Sequence, residues 1–146
     1  MRLSVQSQPF DFGREADSFA AGAKTAGAIV TFTGIVRDKG GQLAAMQIEH
    51  YPGMTEKAIT ASLHQAQSRW SLTDALVIHR YGSLKPGEMI MMVATAAPHR
   101  AAAFAGAEFL MDYLKSRAPF WKKEISASGA EWVAAKDDDE AALARW

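Results

Sequence analysis

Residues 74–96 read DALVIHRYGSLKPGEMIMMVATA. Two apolar runs, Asp74–Tyr81 and Met89–Ala96, flank the segment Gly82–Glu88. Runs rich in β-branched and long apolar residues suit strands. Pro86-Gly87 is turn chemistry, so Gly82–Glu88 is predicted to be a turn. So short a connection joins antiparallel neighbours in one sheet. Met89–Ala96 is almost continuously apolar, which predicts a central strand.

Upstream, Gly27–Arg37 (GAIVTFTGIVR) is rich in β-branched residues and predicts another buried strand. Gly34 interrupts it and marks a bulge or a close backbone approach. Asp38–Gln42 (DKGGQ) is a turn or mobile loop, and Leu43–Tyr51 (LAAMQIEHY) is a further strand broken by Pro52-Gly53. Arg2–Phe10 predicts a short strand and Arg14–Lys24 a short helix. Met54–Trp70 places Ala58, Ile59, Ser62, Leu63 and Ala66 at helical spacing.

Downstream, His99–Arg117 is the strongest helix, with Ala103, Phe104, Ala107, Leu110, Met111 and Leu114 on one stripe. Pro119 stops it. Phe120–Ser126 predicts a strand, Ser128-Gly129 a turn, and Glu131–Val133 a strand fragment. Asp137–Arg145 predicts a closing helix whose aspartates suit the positive end of the helix dipole. Strands joined by short turns, with helices between the pairs, predict an α+β fold: a mostly antiparallel sheet with packed helices. Residues 1–146 are expected to form one domain.

Hydrophobic residues make up 49% of the chain and charged residues 22%, a globular balance that argues against disorder. Sixteen basic and sixteen acidic residues cancel, which speaks against a general nucleic-acid binder. There is no cysteine, which excludes disulfides, thiolate metal sites, cysteine nucleophiles and a protein persulfide. The polar start is no signal peptide and no run is long enough to span a bilayer. The expectation is a soluble, cytoplasmic domain with no membrane partner. His50, His64 and His79 show no metal-ligand spacing, so no metal site is predicted. Nucleophile elbow, P-loop and dinucleotide fingerprint are all missing.

Three features break local rules. His99 and Arg100 place cations in the first turn of a helix, against its dipole. They form either an anion site or a solvated surface turn. Lys115–Glu124 (KSRAPFWKKE) sets Lys115, Arg117, Lys122 and Lys123 against Glu124, a net of plus three. Phe120 and Trp121 beside Lys122 suit a pocket wall. The same segment also reads as a helix end followed by an amphipathic strand with solvated lysines. Arg37 ends an apolar strand beside a Gly-rich loop, as a ligand-holding arginine or a surface one.

Five stretches carry a resemblance: VTFTGIVRD (Val30–Asp38), EHYPGMTEKA (Glu49–Ala58), VIHRYGSLKPGE (Val77–Glu88), APHRAAAF (Ala97–Phe104) and MDYLKSRAPFWKKE (Met111–Glu124). In this order they resemble the family of large, catalytic subunits of molybdopterin synthase. The resemblance implies an α/β-hammerhead-like fold and a sulfurtransferase activity. The family converts cyclic pyranopterin monophosphate to molybdopterin by installing two sulfurs as a dithiolene. Sulfur arrives as a thiocarboxylate on the C-terminal glycine of a small ubiquitin-like subunit. The family assembly is a heterotetramer around a homodimer core of large subunits. No cofactor is implied, and a chain without cysteine fits a reaction whose sulfur comes from the partner.

Residue by residue, the resemblance implies Lys115 and Lys122 as the catalytic lysines. It implies Arg37, with Ile35 and Val36 lining the same turn, and His99, Arg100, Lys123 and Glu124 as substrate-binding positions. Phe32 and Met111 match apolar pocket positions. Lys136 matches a basic residue expected to reach a neighbouring subunit's pocket. Phosphate and thiocarboxylate are both anions, so clustered cations are the chemistry that lets them meet. Lys115 is expected nearest the thiocarboxylate carbon, with Lys122 on the substrate side. Two other readings fit the same residues: an enzyme for a different phosphorylated substrate, and a non-catalytic module binding a ubiquitin-like partner's tail.

Overall fold

The computed structural model describes all of residues 1–146. In chain order its elements are β1 (Arg2–Gln6), α1 (Phe12–Gly22), β2 (Ala28–Ile35), β3 (Leu43–His50), α2 (Met54–Trp70) and β4 (Asp74–Arg80). They continue with β5 (Gly82–Leu84), β6 (Met89–Ala97), α3 (Arg100–Ser116), β7 (Phe120–Ser126), β8 (Gly129–Trp132) and α4 (Asp137–Leu143). The strands form two four-stranded sheets, ordered β1-β4-β6-β2 and β5-β3-β7-β8. The fold is α+β, and every strand pair but one is antiparallel.

β4 and β6 pair antiparallel, with Asp74 opposite Ala96 and His79 opposite Met91. β6 is an inner strand, as its apolar run predicts. The run shows no polar alternation because both faces are covered. Ala75, Val77 and Val93 join the main core with Ile59 and Leu63 of α2 and Leu110 of α3. Leu76, Ile78, Met92 and Ala94 face the other way, onto Phe10 and the α1 residues Phe12, Ala16 and Phe19. The period of two thus sorts an all-apolar sequence into two cores. The predicted irregularity at Gly34 is a shift of register between Gly34 and Ile35.

Three boundaries differ from expectation. Gly82–Leu84 is not turn but strand β5, pairing with β3 through Ile48 opposite Gly82 and Met46 opposite Leu84. Gly82, at φ 93°, lets the chain leave one sheet for the other. Fully buried Leu84 rewards the crossing. β1 stops at Gln6 rather than Phe10, because Phe10 leaves the sheet to pack beside α1. It also runs parallel to β4, the exception to the antiparallel rule. β8 begins at Gly129, within the expected turn, and pairs at once with Ser126.

The sheets meet where His79 of β4 stacks on Phe120 of β7, with ring centres 3.7 Å apart and planes 15° from parallel. The buried Thr55 hydroxyl lies 3.0 Å from the Tyr51 carbonyl and 3.3 Å from that of Pro119, tying the start of α2 to the start of β7. The C-terminus is anchored too. The Trp146 indole N–H donates to Asp112 at 2.7 Å, and its ring packs edge-on against Trp70 and Phe109.

Gly27 sets how closely β2 approaches the turn before α3. Its N–H donates to the Ala97 carbonyl at 3.0 Å, and a Cβ there would lie 2.3 Å from the Pro98 carbonyl oxygen. Backbone cannot swing aside as a side chain can. Gly27→Ala is therefore expected to destabilise the protein by about 1–3 kcal/mol. In chemical denaturation the midpoint should fall with the slope unchanged.

Candidate functional site

Apolar β2 ends beside the last turn of α3, and β7 runs back past both. Between them lies a cavity of about 550 Å³, lined also by residues 132–136 and Asp139. Arg37 reaches it because the residue before it is clamped. Val36 N–H donates to the Glu88 carbonyl at 2.9 Å, and Gly87 N–H donates to the Val36 carbonyl at 2.8 Å. The loop that supplies these partners is itself held. Glu88 accepts from the Lys85 N–H at 2.5 Å and from Arg80 at 3.2 Å, and these two contacts keep its carboxyl below the usual carboxylate range. Arg80, almost wholly buried, also donates to the carbonyls of Ser7 and Met89.

The lysines come from two elements. Lys115 sits in the last turn of α3, where a cation favours the helix dipole. Lys122 lies mid-strand in β7, opposite Ile48 of β3, and its carbonyl accepts from the Val133 N–H at 2.7 Å. Burial pushes Lys122 below the ordinary lysine value, and neighbouring Lys115 and Lys136 push the same way. Asp139 opposes them. Behind Lys122, burial holds the His79 imidazole down at about 3. Its Nδ1 lies 2.9 Å from the Arg80 carbonyl, an acceptor, so that nitrogen carries the hydrogen. His79 is thus a neutral wall at neutral pH.

The structure gathers Ile35, Arg37, Lys115, Lys122, Glu124 and Lys136 around this one cavity, with Phe120 and Trp121 as walls. Lys136 lines the cavity of its own chain. Val36 is buried in the core and acts through its clamp. Alternation along β7 turns Lys123 away from Lys122, and its ammonium lies over the Trp132 ring at 4.4 Å. His99 and Arg100 do not join the group. They are exposed at the other end of α3, about 22 Å from Lys115 at 1.5 Å per residue. Phe32 and Met111 line a separate apolar groove of about 500 Å³ between β2 and α3, together with Phe104.

Two charged members were not singled out from the sequence. Lys39, in the Gly-rich loop, pairs with Glu124 at 2.9 Å across the cavity. Asp139 belongs to an acidic run that reads as dipole-matching alone. Nothing local signals that the Ser116 hydroxyl draws its carbonyl to the end of α3 at 3.0 Å. No group of three His, Cys, Asp or Glu side chains is placed to hold a metal. No helix is long and apolar enough to cross a membrane.

Comparison with known proteins gives concordant results. A family model described as "MoaE protein" matches residues 5–117. A protein from Cereibacter sphaeroides named "Molybdopterin synthase catalytic subunit" is 71% identical over 146 residues, covering all of both chains. The solved "Molybdopterin biosynthesis MoaE protein" of Burkholderia ambifaria superimposes with a TM-score of 0.85 at 49% identity, covering 99% of this chain and 96% of that one. The fold also recurs, at TM-score 0.77 and 20% identity, in a Helicobacter pylori complex of subunits 1 and 2 of molybdopterin-converting factor, covering 92% of this chain and 90% of that one.

The burial of Lys122 predicts a stability signature. The unfolded chain titrates this group near 10.5, above its folded value. Between the two values the unfolded state binds more protons, so wild-type stability rises with pH there. Lys122→Met is expected to raise Tm at pH 7 by roughly 2–4 °C, the effect of about 1 kcal/mol in a domain of this size. That advantage should shrink as pH approaches 10.5, which a calorimetric pH series measures.

Proposed function

The chain belongs to the MoaE family of molybdopterin synthase catalytic subunits, and on that premise we propose that its cavity carries out sulfur transfer. The donor is the C-terminal thiocarboxylate of a small ubiquitin-like subunit. The acceptor is cyclic pyranopterin monophosphate, and the product carries the dithiolene of molybdopterin. Residues 1–146 act as one domain in this reading, and the reaction belongs to the cytoplasm. The observation that carries the proposal is the convergence of Lys115, Lys122 and Arg37 on one cavity with aromatic walls.

The chemistry follows from charge. Phosphate and thiocarboxylate repel each other in bare solvent. Arg37, fixed by the Val36 clamp, offers a planar fork to the phosphate. Lys115, at the more open end, meets the thiocarboxylate, and half-buried Lys122 stabilises charge developing during attack. Its lowered proton affinity also suits it to pass a proton. Each sulfur delivered leaves the donor tail as a carboxylate, so water supplies one oxygen per transfer. Two loaded tails are consumed for each dithiolene.

His99 and Arg100 lie too far along α3 to reach the substrate of their own chain. The proposed homodimer core brings them to the neighbour's cavity. β2 supports this as the edge strand of its sheet, with Phe32 42% exposed and Phe104 beside it 61% exposed. A large apolar face on an unpaired strand edge is a surface that a second copy covers.

The test is a single-turnover assay with thiocarboxylated small subunit and the cyclic precursor. Wild type is expected to yield dithiolene product, with Lys115→Ala and Lys122→Ala each slower by at least about 100-fold. Stable complex without product would favour the tail-binding module instead. Near-normal turnover in Lys115→Ala would remove that lysine from its role. Separately, Phe32→Asp combined with Phe104→Asp is expected to give a monomer in analytical ultracentrifugation, where the wild type sediments as a dimer.

A further inference from the structure

Five cations line the cavity, namely Arg37, Lys39, Lys115, Lys122 and Lys136, against two carboxylates, Glu124 and Asp139. Lys39 takes up Glu124 at 2.9 Å. The Asp139 carboxylate has no ion-pair partner within 4.0 Å. What holds this residue is its main chain. The Ser116 hydroxyl donates to its carbonyl at 3.0 Å, and the next residue, Glu140, receives Arg117 at 2.8 and 2.9 Å. These bonds fasten the start of α4 to the end of α3. They leave a half-buried carboxylate standing in the wall of a cationic cavity, unclaimed by any one lysine.

We propose that Asp139 is a positioning residue, the internal counter-ion of Lys122, which stands in for the ligand's anion while the cavity is empty and so sets the pH window of the reaction. The proposal rests on the sulfur-transfer reading for its link to turnover. Lys122 faces Lys115 from α3, Lys136 and Asp139 from the C-terminal segment, and His79 from β4, with His50 of β3 beyond it. Arg37, Lys39 and Glu124 complete the cavity's charges. All but the two carboxylates are cationic or neutral, and Glu124 is already paired.

A counter-ion at stand-off has a specific advantage. A tight pair would have to be broken by every incoming anion, at the cost of a buried charge left alone. A carboxylate fixed by its backbone favours the charged lysine across the cavity without occupying its hydrogen bonds. When the thiocarboxylate arrives, the donors of Lys122 are free to meet it.

Full-length Asp139→Asn keeps the carbonyl that Ser116 binds, so the fold is expected to survive, with Tm as the check. The side-chain titration of Lys122 is followed by NMR on lysine-labelled protein, assigned with Lys122→Arg. Its midpoint is expected to fall by roughly half a unit to one unit in Asp139→Asn. Asp138→Asn, exposed and outside the cavity, is the control and should leave it unmoved. The single-turnover rate profile of Asp139→Asn should shift toward acid by the same amount. An unmoved midpoint in Asp139→Asn overturns the proposal whatever the rate does, as does a moved midpoint with an unmoved rate profile. If wild-type protein makes no dithiolene, the sulfur-transfer reading fails on its own. The midpoint, measured without substrate, then decides the counter-ion by itself.

Discussion

A lysine taken out of water beside two other lysines is the constraint around which this molecule is arranged. Burial and like charge both disfavour the Lys122 ammonium, so its place in the cavity depends on a strand that holds it there. β7 is an inner strand, bonded to β3 on one side and β8 on the other. The Val133 N–H continues the ladder past β8 at 2.7 Å. Phe120, two residues before Lys122, is stacked on His79 of the other sheet. A neutral ring suits this place, because a charged imidazole would add another cation behind the lysine. Burial of His79 among apolar strands supplies the neutrality.

The second lysine is placed by a different mechanism. α3 runs from His99, its capping residue, to Lys115 in its last turn, so it works as a spacer of fixed length. Its axial position is set by core contacts. The buried Thr95 hydroxyl donates to the Ala103 carbonyl at 2.7 Å, and Gly106 lets Leu72 approach where a Cβ would lie 2.9 Å from it. A slide of one residue along the axis would carry Lys115 about 1.5 Å and rotate it by about 100°. Packing near the middle of the helix therefore governs where Lys115 stands at its end. The same length keeps His99 and Arg100 out of their own chain's cavity.

Local chemistry made much of this legible in the sequence. The apolar runs around Pro86-Gly87 identified the central antiparallel pair, and the bulge at Gly34 followed from one glycine in a β-branched run. Lys115 and Lys122 stood out as members of a segment with a net charge of plus three, and Arg37 as the end of an apolar strand beside a Gly-rich loop. The failures were of contact rather than type. β5 was hidden in a turn signal because Gly82 and Leu84 serve a crossing between sheets, which period and propensity do not encode. Phe32 and Met111 were expected as pocket residues from the resemblance alone, and the structure sets them in the β2–α3 groove, apart from the lysines. Asp139 and Lys39 reach the site through one main-chain hydrogen bond and one loop, both invisible to a pattern along the chain.

Net charge of zero proved a poor guide to local field. Of the acidic residues of the C-terminal region, one is spent on a surface cation. Glu140 pairs with Arg117, while Arg145 turns back to Glu108 and Asp112 on α3. This leaves the cavity with five cations against two carboxylates while the molecule as a whole stays neutral. The screening length at physiological salt is about 8 Å. An approaching anion therefore feels the neutral exterior until it is at the mouth, and the cations only afterwards. Long-range steering is weak in such an arrangement, and selection falls to whatever can fit the cavity. An extended chain end carrying a terminal anion fits that description far better than a folded acidic surface or a polyanion. This separation of local from total charge is how a chain with no basic excess can still present a strongly cationic cavity.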